Sequence, residues 1–184
     1  MSIRSTHRDT TPKAWIGCLT CYNEGVLNGH WYDAVDAGDV TPKDLHHGRE
    51  TSHEELWVFD HENIPVRDEM DQVTAAGWGN VLSQVDDDLE REALCAWVES
   101  GDYIVDGETD YPSLLFFRDA YQGHWVDFDE FARSLAADMG LLDDVPEHIA
   151  RYFGWESWIS DLRFDYREET TPVDRYGVFV FRAV

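Results

Sequence analysis

Between Asp127 and Asp165 the chain spells a succession of short helices whose outward positions are almost all carboxylates. Asp127-Phe-Asp-Glu130 is a capping box, in which the Asp127 side chain accepts from a free amide of the first turn while Glu130 reaches back. Phe128, Phe131, Ala132, Leu135 and Met139 then form one apolar stripe that ends at Gly140, a residue suited to a left-handed cap. The other face carries Asp129, Glu130 and Asp138, with Arg133 its only cation. Asp143 and Asp144 precede Val145 and Pro146 at a second helix start, and a helix from Pro146 through Glu147 to Phe153 is expected, closing at Gly154. A third turn or two follows, with Trp155, Trp158, Ile159 and Leu162 inward and Glu156 and Asp161 outward.

One helix at a time, this is an ordinary amphipathic pattern with a solvated outer face. The whole chain changes that reading: 38 Asp and Glu stand against 14 Lys and Arg, a net charge of −24. Internal pairing cannot neutralise such a surplus, and its self-repulsion works against the compact state, so environment or partner must favour keeping it. Disorder is excluded as the explanation, because disordered chains are poor in aromatics and this one is 14% aromatic with eight tryptophans. At 184 residues the length suits one large domain or two to three small ones. No apolar run approaches the roughly 18 residues of a membrane span, and the N-terminus lacks a signal-peptide core, so no membrane partner and a cytoplasmic location are expected. Three cysteines, Cys18, Cys21 and Cys95, give no disulfide framework.

In chain order, residues 1–11 are polar and read as a flexible lead-in. Ala14 to Thr20 has strand length, Tyr22 to Gly25 is turn by composition, and Val26 to Asp33 reads as the returning strand. Ala34 to Asp39 reads as loop, Thr41-Pro42 starts a short helix, and Glu54 to Asp60 is a third strand. From His61 to Val85 the pattern weakens around Pro65, Gly77 and Gly79, and loops with a short helix are expected. Asp86, Asp87 and Asp88 open a helix with Glu90 and Glu92, the acids complementing its dipole; Leu89, Ala93, Ala96 and Trp97 form its buried side and Gly101 ends it. Tyr103 to Tyr111 is acidic loop, Ser113 to Phe117 a strand candidate. Arg163 to Tyr166 and Tyr176 to Arg182 are final strands around a charged turn with Pro172. The fold class is α+β.

The candidate chemistry is sparse. Cys18-x-x-Cys21 has the spacing of a metal or redox half-site, but no recognisable second ligand pair accompanies it, and Cys18 is expected to pack within a strand. His46, His47, His53 and His61 fit no named ligand spacing and read as polar loop residues, so no metal is expected. Asp143 and Asp144 could serve as acid and base only in a cleft that separates their pKa values, whereas adjacent acids at a helix start are exposed. Phosphate-cradling and nucleophile-elbow motifs are absent. Neither an enzyme nor a cofactor is expected.

Nucleic-acid binding is set aside because a binder brings lysines and arginines to phosphates, and this chain holds only Lys13 and Lys43 as lysines. Reversed, the charge is informative. Duplex DNA carries one charge per roughly 1.7 Å of axis, so the surplus corresponds to about 40 Å of duplex, slightly more than one helical turn. Helices laid with their carboxylates outward would carry DNA's charge without its bases.

Residues Tyr22 to Asp33, Glu54 to Glu62, Asp119 to Gly123 and Met139 to Phe153 together resemble the ArdA antirestriction family, and in the family's order. The last block is similar to the family's antirestriction motif. The resemblance implies an elongated chain of three small α/β domains with an acidic outer surface. These would be an N-terminal domain at 12–62 with a three-stranded sheet and short helix, a mainly helical middle domain at 63–110, and a C-terminal domain at 111–184 with acidic helices and a small sheet. It implies a homodimer, carried on mobile elements, that occupies the DNA-binding groove of type I restriction–modification enzymes through their methyltransferase and specificity subunits. The DNA-mimicking carboxylates would then be Asp86, Asp87, Asp88, Glu90 and Glu92 in the middle, with Asp127, Asp129, Glu130, Asp138, Asp143, Asp144, Glu147, Glu156 and Asp161 toward the end. Two other classes accommodate the acid content: a halophilic protein of unrelated role, which would unfold at low salt, and an acidic scaffold for another basic protein, which partner capture would distinguish.

Overall fold

The computed structural model describes residues 9–172 and 175–183. They form two compact units, one reaching to Cys95 and including Thr109–Tyr111, the other made of Ala96–Glu108 and the chain from Pro112 onward. Each is built on a three-stranded antiparallel sheet, and the fold is α+β.

The first unit's sheet has the order β2-β1-β3, with β1 at Lys13–Cys18, β2 at Gly29–Asp33 and β3 at Leu56–Glu62. β1 is central, and alternation buries Ala14, Ile16 and Cys18. The three expected strands and the short helix are present: α2, Pro42–Leu45, has proline in its first turn and a capping box between Thr41 and Asp44. Two expectations need correction. Tyr22 and Asn23 are not turn but the end of a helix, α1 at Leu19–Asn23, and Ala34–Asp39 is a 3₁₀ helix rather than loop.

The weakly patterned stretch holds a full helix, α3, at Gln72–Leu82, capped by Asp71. Its glycines are contact points rather than breakers. A Cβ on Gly79 would lie 2.3 Å from the Val35 nitrogen, and one on Gly77 would lie 2.0 Å from the Tyr111 hydroxyl. The helix therefore seats against the 3₁₀ segment with backbone nearly touching backbone, which a larger residue would prevent. α4 spans Asp88–Ser100, with Ala93, Leu94, Trp97 and Val98 buried and Gly101 in the left-handed region after it. The boundary between the units falls within this helix.

In the second unit the sheet order is β4-β6-β5, with β4 at Tyr121–Trp125, β5 at Tyr166–Thr170 and β6 at Val178–Arg182. Phe179, Val180 and Phe181 of the central strand are buried, on both of its faces. Phe181 meets Trp97 and Phe117, while Phe179 packs with Tyr121. Val180 points the other way, into Phe128, Phe131, Ala132 and Ile159. The expected strand at Ser113–Phe117 is instead helix α5, Leu114–Ala120. Its apolar run is misleading because only Phe117 and Ala120, three positions apart, are buried, while Leu115 and Phe116 are exposed. The strand follows it, and Arg163–Tyr166 likewise yields its strand only from Tyr166 onward.

Of the expected lead-in, residues 1–8 lie outside the described residues; Thr10 is buried, and Asn63 donates to the carbonyls of Asp9 and Thr11. The expected turn near Pro172 runs into residues 173–174, also outside them.

Candidate functional site

The acidic helices lie in the second unit. α6 spans Phe128–Asp138, and Asp127 caps it by accepting from the Glu130 N–H at 2.8 Å. Glu130 reaches back one residue further than a standard capping box requires, accepting from the Val126 N–H at 2.7 Å. Phe128, Phe131, Ala132 and Ala136 are buried, but Met139 is 57% exposed, so the stripe ends a turn earlier than expected. Gly140 stands at φ 63, the Leu141 N–H returns to the Ala136 carbonyl and the Gly140 N–H to that of Ala137, which makes a Schellman cap. The chain is thereby turned sharply into Asp143 and Asp144.

The second helix is shorter than expected. α7 covers only Glu147–Ala150, and Pro146 is its N-cap rather than its first residue. α8, Trp155–Leu162, buries Ile159 and packs Trp155, Trp158 and Leu162 around the core of α6. Asp127, Asp129, Glu130, Asp138, Asp143, Asp144, Glu147, Glu156 and Asp161 are all exposed.

Between Asp127 and Asp165 there are ten carboxylates and three arginines. The arginines lie on rings. Arg133 sits 4.5 Å from the centre of Trp155, Arg151 4.9 Å from Tyr152 and Arg163 4.3 Å from Phe128, contacts favoured by the negative faces of aromatic rings. Among the described residues, only Arg163 of the three also meets carboxylates, Asp129 at 3.8 Å and Glu168. Among the described residues, Asp138, Asp143, Asp144, Glu147, Glu156 and Asp161 form no ion pair.

The acids of the first unit differ. Asp86 and Asp87 are exposed, and Asp87 accepts from the Glu90 N–H at 2.8 Å, capping α4. Asp88, Glu90 and Glu92 are half-buried. Asp88 accepts from the Thr10 hydroxyl at 2.7 Å and from Arg91 at 2.9 Å, and Arg91 also donates to the carbonyls of Leu82 and Val85. That carboxylate fastens the chain's first described residues to α4.

Compared with protein families, residues 14–174 match the one described as antirestriction protein (ArdA). The chain belongs to the ArdA antirestriction family. Compared with curated proteins, it matches none. Among the described residues of this ArdA-family chain, no helix is long and apolar enough to cross a membrane.

A second constellation lies at one end of the first unit's sheet. Cys18 ends β1 and caps α1, where its sulfur accepts from the Cys21 N–H at 3.4 Å. His46 follows α2 directly, and His53 lies just before β3. The His53 Nδ1 is 3.3 Å from the Cys18 sulfur and 3.4 Å from that of Cys21, and the His46 Nε2 is 3.9 Å from Cys21. All four donor atoms lie within 4.8 Å of one another. Both thiols are buried with Leu45, beside Tyr32, Val40 and Leu56. Burial, and then the neighbouring Cys18, push the Cys21 thiol above its ordinary range. The signal in the sequence is a C-x-x-C followed by two histidines seven positions apart.

Proposed function

We propose that this ArdA-family chain blocks type I restriction–modification enzymes by standing in for B-form DNA in the groove shared by the methyltransferase and specificity subunits. The reading is supported by the exposed carboxylates Asp138, Asp143, Asp144, Glu147, Glu156 and Asp161, which form no ion pair among the described residues, beside arginines committed to aromatic rings. Asp127, Asp129 and Glu130 extend the set at the start of α6, and at α4 the exposed Asp86 and Asp87 are its counterpart, while half-buried Asp88, Glu90 and Glu92 already have partners within the chain. Lysines and arginines that hold phosphates meet these carboxylates instead, and both surfaces release counterions on contact. Inhibition is stoichiometric and needs no chemistry from the chain.

The same reading carries an elongated arrangement of three small domains, a homodimer and a cytoplasmic site of action. A compact globule of this length has a radius of gyration of about 16 Å, and scattering from the protein should exceed it clearly. The direct test is cleavage by a purified type I enzyme with increasing amounts of the chain. Inhibition saturating near one inhibitor unit per enzyme and relieved by excess unmodified duplex is expected. Inhibition far below stoichiometry, or indifferent to added DNA, would overturn the reading.

A further inference from the structure

We propose that Cys18, Cys21, His46 and His53 bind one zinc ion as a closed structural centre, a role separate from the acidic surface. In a tetrahedral site with sulfur at about 2.3 Å and nitrogen at about 2.0–2.1 Å from the metal, neighbouring donor atoms stand about 3.3–3.8 Å apart. The distances here are 3.3 Å and 3.4 Å from His53 to the two sulfurs and 3.9 Å from His46 to Cys21, with the whole set inside 4.8 Å. The donors are therefore already near the edges of one tetrahedron. The two imidazoles meet edge to face at 5.1 Å, so neither ring blocks the other's approach to the centre.

The backbone explains the convergence. The Cys18 N–H bonds to the Asn28 carbonyl and the Leu19 N–H to the Glu55 carbonyl, which fixes the end of β1 between its two neighbours. The turn into α1 then brings Cys21 back beside Cys18, with an amide aimed at the Cys18 sulfur as second-sphere support for a thiolate. His47 and Gly48 both have left-handed backbones and close α2 directly after His46. Four pieces of chain thus meet at one point.

The donor set selects the metal class. Two thiolates and two imidazoles suit a borderline-soft ion without geometric demands of its own, which is zinc. On binding, each thiol gives its proton to solvent, and the two thiolate charges balance the ion. Four protein ligands leave no open position, so the centre is structural and not catalytic. It would tie β1, α1, the end of α2 and the approach to β3 together. Cys95 lies outside the group.

The test uses the full chain produced in zinc-supplemented medium and purified without chelator. Elemental analysis should find one zinc per chain, retained in His47→Ala and His61→Ala and lost in Cys21→Ser and His53→Ala, and chelation should lower the thermal midpoint. Should the cysteine variant fail to fold, the metal-stripped natural chain is titrated with cobalt(II). A one-equivalent endpoint with thiolate-to-cobalt charge transfer and the visible bands of tetrahedral cobalt is expected. A chain that purifies without zinc and yields no such bands, or one that carries a Cys18–Cys21 disulfide by mass spectrometry, overturns the proposal whatever the outcome of the restriction assay.

Discussion

Arg91 donates at 2.9 Å to the Asp88 carboxylate, and the same guanidinium reaches the Thr10 hydroxyl at 2.7 Å. The link from Arg91 to Thr10 is half-buried and joins residues 81 positions apart. Hydrogen bonds to charged groups contribute about 1.5–3 kcal/mol, and partial exposure reduces that here. Asp88→Ala should therefore lower stability to urea by about 1–2 kcal/mol. Asp86→Asn, exposed nearby, should stay within about 0.5 kcal/mol of the natural chain. The two variants sort a fastening carboxylate from a displayed one; equal urea midpoints would contradict the assignment.

Gly79 makes a second prediction. Alanine would improve helix propensity by up to about 1 kcal/mol, but its Cβ would meet the Val35 nitrogen and Ala34 carbonyl carbon, both backbone atoms that cannot swing aside. Overpacking of this kind costs about 1–3 kcal/mol, so Gly79→Ala should lower the thermal midpoint. Gly154→Ala, where an added Cβ meets nothing within 4 Å, should not. A rise in midpoint for Gly79→Ala would show that α3 and the 3₁₀ segment are not in close contact.

Glu169 supplies a pH dependence. Burial holds its carboxyl above the ordinary 4.5; Arg167 opposes this, and Asp102 and Glu99 add to it. The folded chain thus binds this proton more tightly than the unfolded one, and stability falls as pH rises from 4.5 through the raised folded value. Glu169→Gln should remove that part of the slope and leave the protein more stable at neutral pH. Urea midpoints of the two proteins, compared from just below 4.5 to neutrality, measure the difference. A constant offset across the range would contradict the account.

Much of this was legible in the sequence, and the failures have physical causes. The Asp127 cap, the Gly140 cap and the Trp155–Leu162 helix follow from local chemistry that tertiary structure left intact. Leu114-Leu-Phe-Phe117 misled because a short apolar run has no period that separates strand from helix, and only the partners of Phe117 decide it. Gly77 and Gly79 looked like breakers because their value lies in what they touch, Tyr111 and Val35, which are distant in sequence. The thiol–imidazole group was hidden for the same reason: its second ligand pair arrives from the far side of β2 and α2, at a spacing outside the familiar motifs. Charge was legible as a sum, whereas the diversion of Arg133 and Arg151 onto rings required coordinates.

The acidic surface should act cumulatively. An exposed charge contributes about 0–1 kcal/mol, so Asp143→Asn combined with Asp144→Asn should weaken inhibition by about two- to tenfold without changing the urea midpoint. Titration of the type I enzyme with the double variant measures it. Complete loss of inhibition from Asp143→Asn alone would point to a specific site in place of a distributed one.

The salt dependence of binding tests the central claim most directly. If carboxylates take the place of phosphates, the logarithm of the affinity for the type I methyltransferase should fall steeply and linearly with the logarithm of salt concentration, as it does for the enzyme's own duplex, and duplex and chain should exclude each other. Binding that is insensitive to salt, or a complex that holds duplex and chain together, would contradict it.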